Sequence, residues 1–264
     1  MKKKRILITG AGSGLGKATA LQLARNGHDV IACVELLSQV TALRKDAEKN
    51  KVELTVEQIN ILDPTDRQFA WTFEDIDVLY NNAGISEAGA ISEIPLSFVR
   101  KVFETNVFAN LEFTQGFIKS MVKRRKGKII FVSSVAGFIG GPLTGAYVAS
   151  KHALEGIATV MSDELAPFGI QVATVNPGPF DTGFNDRMME TIKKWYDPKV
   201  NFIDQTKAAF PFEQFDPQEM IDKMVEIAEN DGGLYRNICP EEFIDLVKEA
   251  QADAWTRRQN EQLS

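Results

Sequence analysis

The stretch Ile6-Leu7-Ile8-Thr9-Gly10-Ala11-Gly12-Ser13-Gly14-Leu15-Gly16 leads from a short apolar run directly into four closely spaced glycines. The apolar run predicts a buried strand, and the residues after it predict a helix. Small residues at such a junction let the backbone approach a pyrophosphate, and a helix N-terminus offers it free N–H groups. The glycines follow a Gly-x-x-x-Gly-x-Gly spacing through Gly10, Gly14 and Gly16. We therefore expect a dinucleotide-binding turn here, with a tight turn that holds no ligand as the alternative.

Short apolar runs alternate with helical segments along the rest of the chain. Candidate strands cover residues 5–8, 29–33, 53–57, 77–80, 128–132 and 171–175, and candidate helices include residues 15–26, 38–50 and 96–124. Strands that alternate with helices indicate βαβ units, and continuous apolar strands are typical of a sheet covered on both faces. The pattern predicts an α/β fold, a Rossmann-like doubly wound parallel sheet with helices on both faces. No linker divides the chain, so residues 1–264 are expected to form a single domain.

Composition narrows the classes of protein that the chain can belong to. The 264 residues include 30 basic and 36 acidic side chains, for a net charge of −6, and 44% of the residues are hydrophobic. This balance is typical of a globular protein and argues against a nucleic-acid-binding surface. The two cysteines exclude a disulfide scaffold and suit a reducing compartment. No apolar run approaches the ~20 residues that span a bilayer, so we expect a cytoplasmic protein with no membrane span.

Two segments after the glycine-rich part differ in character from the rest. Residues 180–216 contain six of the 17 phenylalanines and no clear strand signal. Long connections in compact domains are often lids or binding loops, so this segment is predicted to be a lid over an apolar substrate. A pair of amphipathic helices packed on the body, or an oligomer contact, would also explain it. Residues 240–264 are predicted to form a helical C-terminal tail.

A carboxylate stands where a dinucleotide site requires one. Glu35 lies 19 positions after Gly16, just beyond the second candidate strand. A carboxylate there accepts a hydrogen bond from the 2′-hydroxyl of the adenosine ribose and repels a 2′-phosphate. The cofactor is therefore predicted to be NAD in preference to NADP. A solvated residue at the start of a helix is the alternative interpretation of Glu35.

Tyr147 and Lys151 are four residues apart in a predicted helix, which places both on one helix face. A phenol is normally too weak an acid to exchange protons at neutral pH. A fixed ammonium nearby favours the phenolate, so Lys151 is expected to lower the pKa of Tyr147 and make it a usable proton donor and acceptor.

A series of motifs resembles the short-chain dehydrogenase/reductase family in order and interval. The series consists of residues 9–16, Asn81-Asn82-Ala83-Gly84, Asn106, Ser134, Tyr147, Lys151 and Asn176-Pro177-Gly178. The similarity covers roughly residues 4–182. It implies that Tyr147 is the general acid/base and that Ser134 holds the substrate oxygen. It also implies that Lys151 binds the nicotinamide ribose and depresses the tyrosine pKa, while Asn106 supports a proton path to Lys151.

The glycine turn and the resemblance together predict a set of cofactor-binding residues. Asn82, Ala83 and Gly84 would line the adenine ribose side, and Asp63 would bind the adenine amino group. Pro177, Gly178 and Thr182 would flank the nicotinamide. The full set is Gly10, Ser13, Gly14, Leu15, Gly16, Glu35, Asp63, Asn82, Ala83, Gly84, Tyr147, Lys151, Pro177, Gly178 and Thr182.

The expected function is hydride transfer between a nicotinamide cofactor and a mainly apolar secondary alcohol or ketone. An NADP-preferring carbonyl reductase and a non-catalytic nucleotide-sensing protein are the alternatives, and the apolar lid argues against a sugar-nucleotide epimerase. Gly232 and Gly233 precede the last probable strand, whereas relatives have glycines after it, so both a homodimer and a homotetramer stay open. His28 and His152 lack partners at metal-ligand spacing, and no metal is expected.

Overall fold

The computed structural model describes residues 2–259; Met1 and residues 260–264 lie outside the described residues. Seven strands in this part of the chain form one parallel sheet in the order β3-β2-β1-β4-β5-β6-β7. The strands are β1 Arg5–Ile8, β2 Asp29–Val34, β3 Thr55–Gln58, β4 Val78–Asn81, β5 Gly127–Val132, β6 Ile170–Pro177 and β7 Arg236–Cys239. The strand order reverses between β1 and β4, and ligands of such sheets bind outside the carboxyl ends at that point. The predicted Rossmann-like doubly wound parallel sheet is confirmed.

Helices connect the strands and cover both faces of the sheet. They are α1 Gly14–Arg25, α2 Leu37–Asn50, α3 Pro64–Ala70, α4 Leu96–Phe103, α5 Asn110–Arg124, α6 Gly145–Leu165, α7 Phe184–Glu190, α8 Gln218–Glu229 and α9 Phe243–Thr256. The helical segment predicted over residues 96–124 is confirmed, since α4, a π-helical segment at Glu104–Ala109 and α5 follow one another without a break. Helix α9 occupies most of the predicted C-terminal tail, whose residues 260–264 lie outside the described residues. Within residues 2–259, no helix combines the length and the apolar character that crossing a membrane needs.

The core has two layers, one on each face of the sheet. In β1, Ile6 and Ile8 belong to the cluster that packs under α1 and α8, while Leu7 belongs to the cluster that packs under α5 and α6. All three side chains are fully buried. Because successive side chains of a strand point to opposite faces, this double burial explains why β1 has no polar alternation.

The phenylalanine-rich segment, residues 180–216, is attached to the body at both ends. Phe180 is 3% exposed in the core, forms an isolated bridge with Phe215, and packs against its ring at 6.3 Å. Between these ends, the segment contains α7 and one 3-10 turn, Thr191–Lys194. The middle is open to solvent, with Phe202 78% exposed. Part of the phenylalanine enrichment therefore serves packing onto the sheet.

The structure predicts opposite effects of adding a methyl group at two helical glycines. A Cβ on Gly16 would overlap the Asn82 side chain and lie 2.8 Å from the Gly10 carbonyl oxygen, whereas a Cβ on Gly156 would meet nothing within 4 Å. Gly16→Ala should lower the free energy of unfolding by about 1–3 kcal/mol, because a crowded site must shift. Gly156→Ala should raise it by up to about 1 kcal/mol through helix propensity. Thermal and denaturant unfolding measure both; an unchanged stability in Gly16→Ala would contradict the close approach.

Candidate active site

The glycine-rich turn is bonded to the end of β4. The Thr9 hydroxyl accepts hydrogen bonds from the backbone N–H groups of Asn82 and Ala83 at 3.1 and 3.0 Å. The Asn82 side-chain amide in turn donates to the carbonyl oxygens of Thr9 and Gly10 at 2.9 and 3.1 Å. The side chain of Asn82, predicted to line the adenine ribose side, is thus engaged with the turn itself. These bonds between the turn and the residues after β4 fix the shape of the turn.

Backbone conformation in the turn accounts for its glycines. Gly10 and Gly14 have φ values of +65° and +54°, a region that residues with a Cβ rarely adopt. A Cβ on Gly10 would lie 2.7 Å from the Ala83 Cα atom. A Cβ on Gly14 would lie 3.5 Å from Thr182, so the turn and the segment after β6 approach each other closely. We call the cradle this glycine-rich turn together with the residues after β4 and β6 that it approaches, Ala83 and Thr182.

Helix α1 begins at this cradle. Ser13 precedes its first turn in an extended conformation, and its side chain makes no capping hydrogen bond. Leu15 packs against the core cluster beneath the sheet, and Gly16 is buried against Asn82. The first N–H groups of a helix have no intrahelical acceptor, so they are suited to hold a phosphate.

Two carboxylates that the sequence assigns to the adenosine lie after β2 and at the start of α3. Glu35 directly follows β2 and is exposed, with its carbonyl oxygen accepting from Gln58 Nε2 at 3.3 Å. Asp63 is the N-cap of α3, where its Oδ1 atom accepts from the N–H groups of Thr65 and Asp66 at 2.7 and 3.3 Å. These backbone hydrogen bonds hold the pKa of Asp63 below its usual value. Asp63 therefore has a helix-capping role besides the predicted contact with adenine.

Tyr147 and Lys151 lie on one face of α6, as their spacing predicts. The Lys151 ammonium is 5.5 Å from the centroid of the Tyr147 ring and donates to the Val132 carbonyl oxygen at 2.8 Å. Lys151 is 4% exposed. On its other side, the Tyr147 ring packs against the ring of Phe184, with 5.7 Å between the centroids.

Burial sets the pKa values of this pair. The pKa of Tyr147 is raised to about 12, because desolvation disfavours the phenolate and outweighs the opposing hydrogen bond with Ser134. The pKa of Lys151 is lowered to about 8 by burial, which the negative charge of Glu155 partly opposes. The net shift of the Tyr147 pKa is therefore upward, and the lowering that we expect from Lys151 stays a prediction. The ammonium is held by Val132, and desolvation is the larger effect on the phenol.

Ser134 follows β5 and faces the end of β6. Its hydroxyl donates to the Pro177 carbonyl oxygen at 3.2 Å and accepts from the N–H group of Ala136 at 3.1 Å. The neighbouring Gly178 N–H donates to the Cys239 carbonyl oxygen at 2.8 Å, which joins this loop to the end of β7. Ser134 is thus bonded to Pro177, next to Gly178, and its hydroxyl also acts on Tyr147.

Asn106 lies fully buried in the π-helical segment. Its Oδ1 atom accepts from the N–H group of Ile85 at 2.8 Å, and its Nδ2 atom donates to the Ile85 carbonyl oxygen at 2.8 Å and to the Ser150 hydroxyl at 3.0 Å. A Cβ on Gly84 would lie 3.3 Å from Asn106 Oδ1 and 3.7 Å from Lys151 Nζ. Asn106, Gly84 and Lys151 therefore meet at one point of the sheet edge.

Three residues at this site escaped the sequence prediction of site residues. Phe184 contacts the Tyr147 ring, Asn176 donates to the Ser134 carbonyl oxygen at 3.3 Å, and Glu155 accepts from Asn176 Nδ2 at 2.6 Å. Glu155 could have been predicted from its spacing, because Tyr147, Lys151 and Glu155 follow one another at intervals of four residues. Among residues 2–259, no group of three or more His, Cys, Asp and Glu side chains is arranged to hold a metal ion.

The arrangement is suited to moving a proton at an alcohol or carbonyl oxygen. Tyr147 and Ser134 supply two hydroxyl groups beside each other, and Lys151 supplies a buried ammonium behind them. Hydroxyl donors at this position could stabilise negative charge on a reacting oxygen. The adjoining cradle of small residues and the start of α1 fit a dinucleotide.

Comparison with known proteins identifies a family and relatives of this chain. The short chain dehydrogenase family model matches residues 4–193. The chain is 34% identical to the uncharacterized oxidoreductase YusZ of Bacillus subtilis (strain 168), over 86% of this chain and 85% of that protein. It is 38% identical to the 3-ketodihydrosphingosine reductase of Bacteroides thetaiotaomicron, over 70% of this chain and 67% of that protein.

A solved structure shares both the fold and part of the sequence. A variant of actinorhodin polyketide ketoreductase, determined with NADPH, superposes with a TM-score of 0.75 at 25% identity. The match covers 89% of this chain and 95% of that one. The family match, the relatives and the parallel sheet agree, and the chain belongs to the short-chain dehydrogenase/reductase family of oxidoreductases.

Proposed function

We propose that the protein transfers a hydride between a nicotinamide cofactor and a mainly apolar secondary alcohol or ketone. The observation that carries this proposal is the meeting of Tyr147, Ser134, Lys151 and Asn106 beside the dinucleotide cradle. A non-catalytic nucleotide-sensing protein would have no need of this complete set of proton-handling groups.

Each residue of the set has a proposed role. Tyr147 gives the proton to the substrate oxygen in reduction and takes it in oxidation, while Ser134 holds that oxygen by a hydrogen bond. Lys151 binds the nicotinamide ribose, and Asn106 keeps the Ile85 backbone and Ser150 in place beside it. The bound nicotinamide supplies the hydride chemistry, and the protein supplies orientation and electrostatics.

The cradle suits a dinucleotide because its glycines leave the backbone without side chains at the start of α1. At Gly10 and Gly16 the chain packs so closely that a Cβ would lie 2.7 and 2.8 Å from backbone atoms. The pyrophosphate is proposed to lie at Gly14, Leu15, Gly16 and the uncapped N-terminus of α1. Thr182, which approaches Gly14, would then stand near the nicotinamide end together with Pro177 and Gly178. Glu35 favours NAD, although the related ketoreductase was determined with NADPH. An NADP-preferring carbonyl reductase is therefore the competing assignment.

The proposed substrate is apolar because the protein presents apolar side chains next to Tyr147. The Phe184 ring stacks at an angle on the Tyr147 ring, and α7 continues into a small cluster of Ala88, Met188 and Ile192. These residues support residues 180–216 as a lid over the reacting end of the substrate. One relative is named for reducing 3-ketodihydrosphingosine, which also supports a ketone.

We also propose that the protein is cytoplasmic and that it assembles with copies of itself. Cys33 and Cys239 are free and buried, which suits a cytoplasmic protein. Leu96 and Phe108 are 57% and 55% exposed on α4 and the adjoining π-helical segment, which supports self-association as a homodimer or homotetramer.

The variant Tyr147→Phe tests the proposed acid/base. Loss of the hydroxyl should reduce kcat about 10²–10⁴-fold while NADH binding stays close to wild type, because the aromatic ring keeps its packing. Nicotinamide absorbance and NADH fluorescence measure the two effects. Tyr235→Phe is the matched control, since its hydroxyl pairs with Thr159 at 3.0 Å on an exposed face. Equal turnover in Tyr147→Phe and wild type would refute the assignment.

The variant Glu35→Gln tests the cofactor preference. Removing the exposed carboxylate should raise kcat/KM for NADP about tenfold and lower it for NAD, because repulsion of the 2′-phosphate disappears. Parallel assays with both cofactors measure the ratio, and Glu48→Gln, an exposed charge change on α2, serves as control. A wild-type protein that prefers NADP would contradict the role of Glu35.

The variant Phe184→Ala tests the apolar substrate wall. The KM for a bulky apolar ketone should rise about tenfold, a loss typical of removing one buried aromatic contact, whereas the KM for acetone should change little. Phe168→Ala, a 41% exposed phenylalanine after α6, is the control. If both ketones respond alike, Phe184 does not sort substrates by size.

A further inference from the structure

Glu155 is a buried carboxylate that no step of the proposed mechanism uses. It lies one turn beyond Lys151 on α6 and is 5% exposed. Burying an ionised carboxylate is costly unless partners compensate it, so its surroundings are informative. Tyr147, Lys151 and Glu155 form a line of every fourth residue on one helix face, and the first two of them are placed in the site.

The partners of Glu155 favour its ionised form. Its Oε1 atom accepts from Asn176 Nδ2 at 2.6 Å, and its Oε2 atom lies 3.7 Å from Arg236 Nη2. The buried hydroxyl of Ser133 also favours the charged form of the carboxylate. Burial raises the pKa of Glu155, and Ser133, Asn176, Arg236 and Lys151 each oppose that rise. A neutral acid would not need this array of donors and cations.

Lys151 and Glu155 are four residues apart on α6, so they are neighbours on one helix face, and both side chains are buried. Neighbouring opposite charges favour each other's ionised form. Lys151 donates to the Val132 carbonyl oxygen, a neutral acceptor that does little to keep an ammonium charged. Burial lowers the pKa of Lys151 to about 8, and Glu155 is the charge that counteracts this shift. Without the charge of Glu155, the protonation equilibrium of Lys151 would shift toward the neutral amine at neutral pH.

We propose that Glu155 is a positioning residue that keeps Lys151 in its ammonium form from one helical turn away. This inference rests on the proposed function, since the charge of Lys151 matters there for ribose binding and for proton handling at Tyr147. Glu155 does not touch the substrate in this role. The proposed effect on charge acts on Lys151.

Other groups that face the pair differ in what they contribute. Tyr147 faces Lys151 from α6 and stays a neutral phenol over the working range, since its pKa is raised to about 12. Arg236 of β7 approaches Glu155 and is itself held over the Phe138 ring at 4.1 Å. Tyr235, just before β7, has a pKa raised by burial and by the Glu155 charge, so it too stays neutral. Arg236 and Lys151 are thus the cations that act on Glu155.

The direct test is the titration of Lys151 in enzyme prepared without nucleotide, followed by NMR of protein labelled at the lysine Cε atoms. The signal that is missing from Lys151→Arg assigns the residue. In wild type it should titrate near pH 8. In Glu155→Gln, which keeps an oxygen acceptor for Asn176, it should titrate about one pH unit lower, a tenfold fall in the ammonium-to-amine ratio.

Two further variants separate charge from packing. Glu155→Asp keeps the charge and should leave Lys151 titrating near the wild-type pH. Glu155→Thr removes the charge as Glu155→Gln does; it should show the same lower titration of Lys151 and replaces the glutamine variant if that variant fails to fold. Glu87→Gln is the matched control, because Glu87 is also a buried carboxylate but pairs with Lys101 at 2.8 Å. It should leave the Lys151 signal unmoved.

Activity gives a second, independent readout. Ketone reduction with NADH should fall as pH rises through the pKa of Lys151, because the ammonium is present below that pKa and lost above it. The Glu155→Gln profile should match wild type near pH 6 and fall about one pH unit earlier. An unmoved Lys151 signal in both neutral variants overturns the inference even if the enzyme turns over ketones. Absence of all turnover would refute the proposed function while the NMR titration still decides the role of Glu155.

Discussion

The side-chain amide of Asn106 holds together three parts of the chain on which the whole site depends. It bonds both backbone groups of Ile85 after β4 and the hydroxyl of Ser150 on α6. Asn106 makes these bonds from the π-helical segment, a form of helix that is frequent at functional sites. Because Ser150 adjoins Lys151, the bonds fix α6 relative to the loop that carries Gly84. The position of Lys151 against the end of β4 follows from this one buried amide.

Burial then sets the chemistry of the residues so positioned. Desolvation pushes the phenol of Tyr147 and the ammonium of Lys151 toward their neutral forms, so one pKa rises and the other falls. A neutral phenol is a suitable proton donor for ketone reduction, whereas a neutral amine would bind a ribose less well. In our proposal, the carboxylate of Glu155 favours the charged form of Lys151, while Tyr147 remains a neutral phenol. Charge at the site is therefore distributed along a single helix face.

The sequence predicted most of the sheet but only part of the site. Strands such as β1 and β5 were predictable because burial on both faces makes them continuous apolar runs. The π-helical form of Glu104–Ala109 was not, since an apolar pattern predicts a helix but not its local winding. The hydrogen bond between Asn106 and Ile85 was not predictable either, because it joins residues 21 positions apart along the chain. The rise in the pKa of Tyr147 was not predictable either, because spacing gives the distance along a helix but not the degree of burial. Site residues that share a motif were predicted together, while Phe184 comes from a segment without one.

The central claim is that this site moves a hydride directly between a secondary alcohol and the nicotinamide ring. The most direct measurement uses an apolar secondary alcohol deuterated at the carbinol carbon, with NAD, and examines the reduced cofactor by mass spectrometry. The account predicts one deuterium on the nicotinamide of every NADH formed, together with a slower rate than with the unlabelled alcohol. NADH that carries no deuterium, or an alcohol that yields no NADH under any condition while the nucleotide binds, would contradict it.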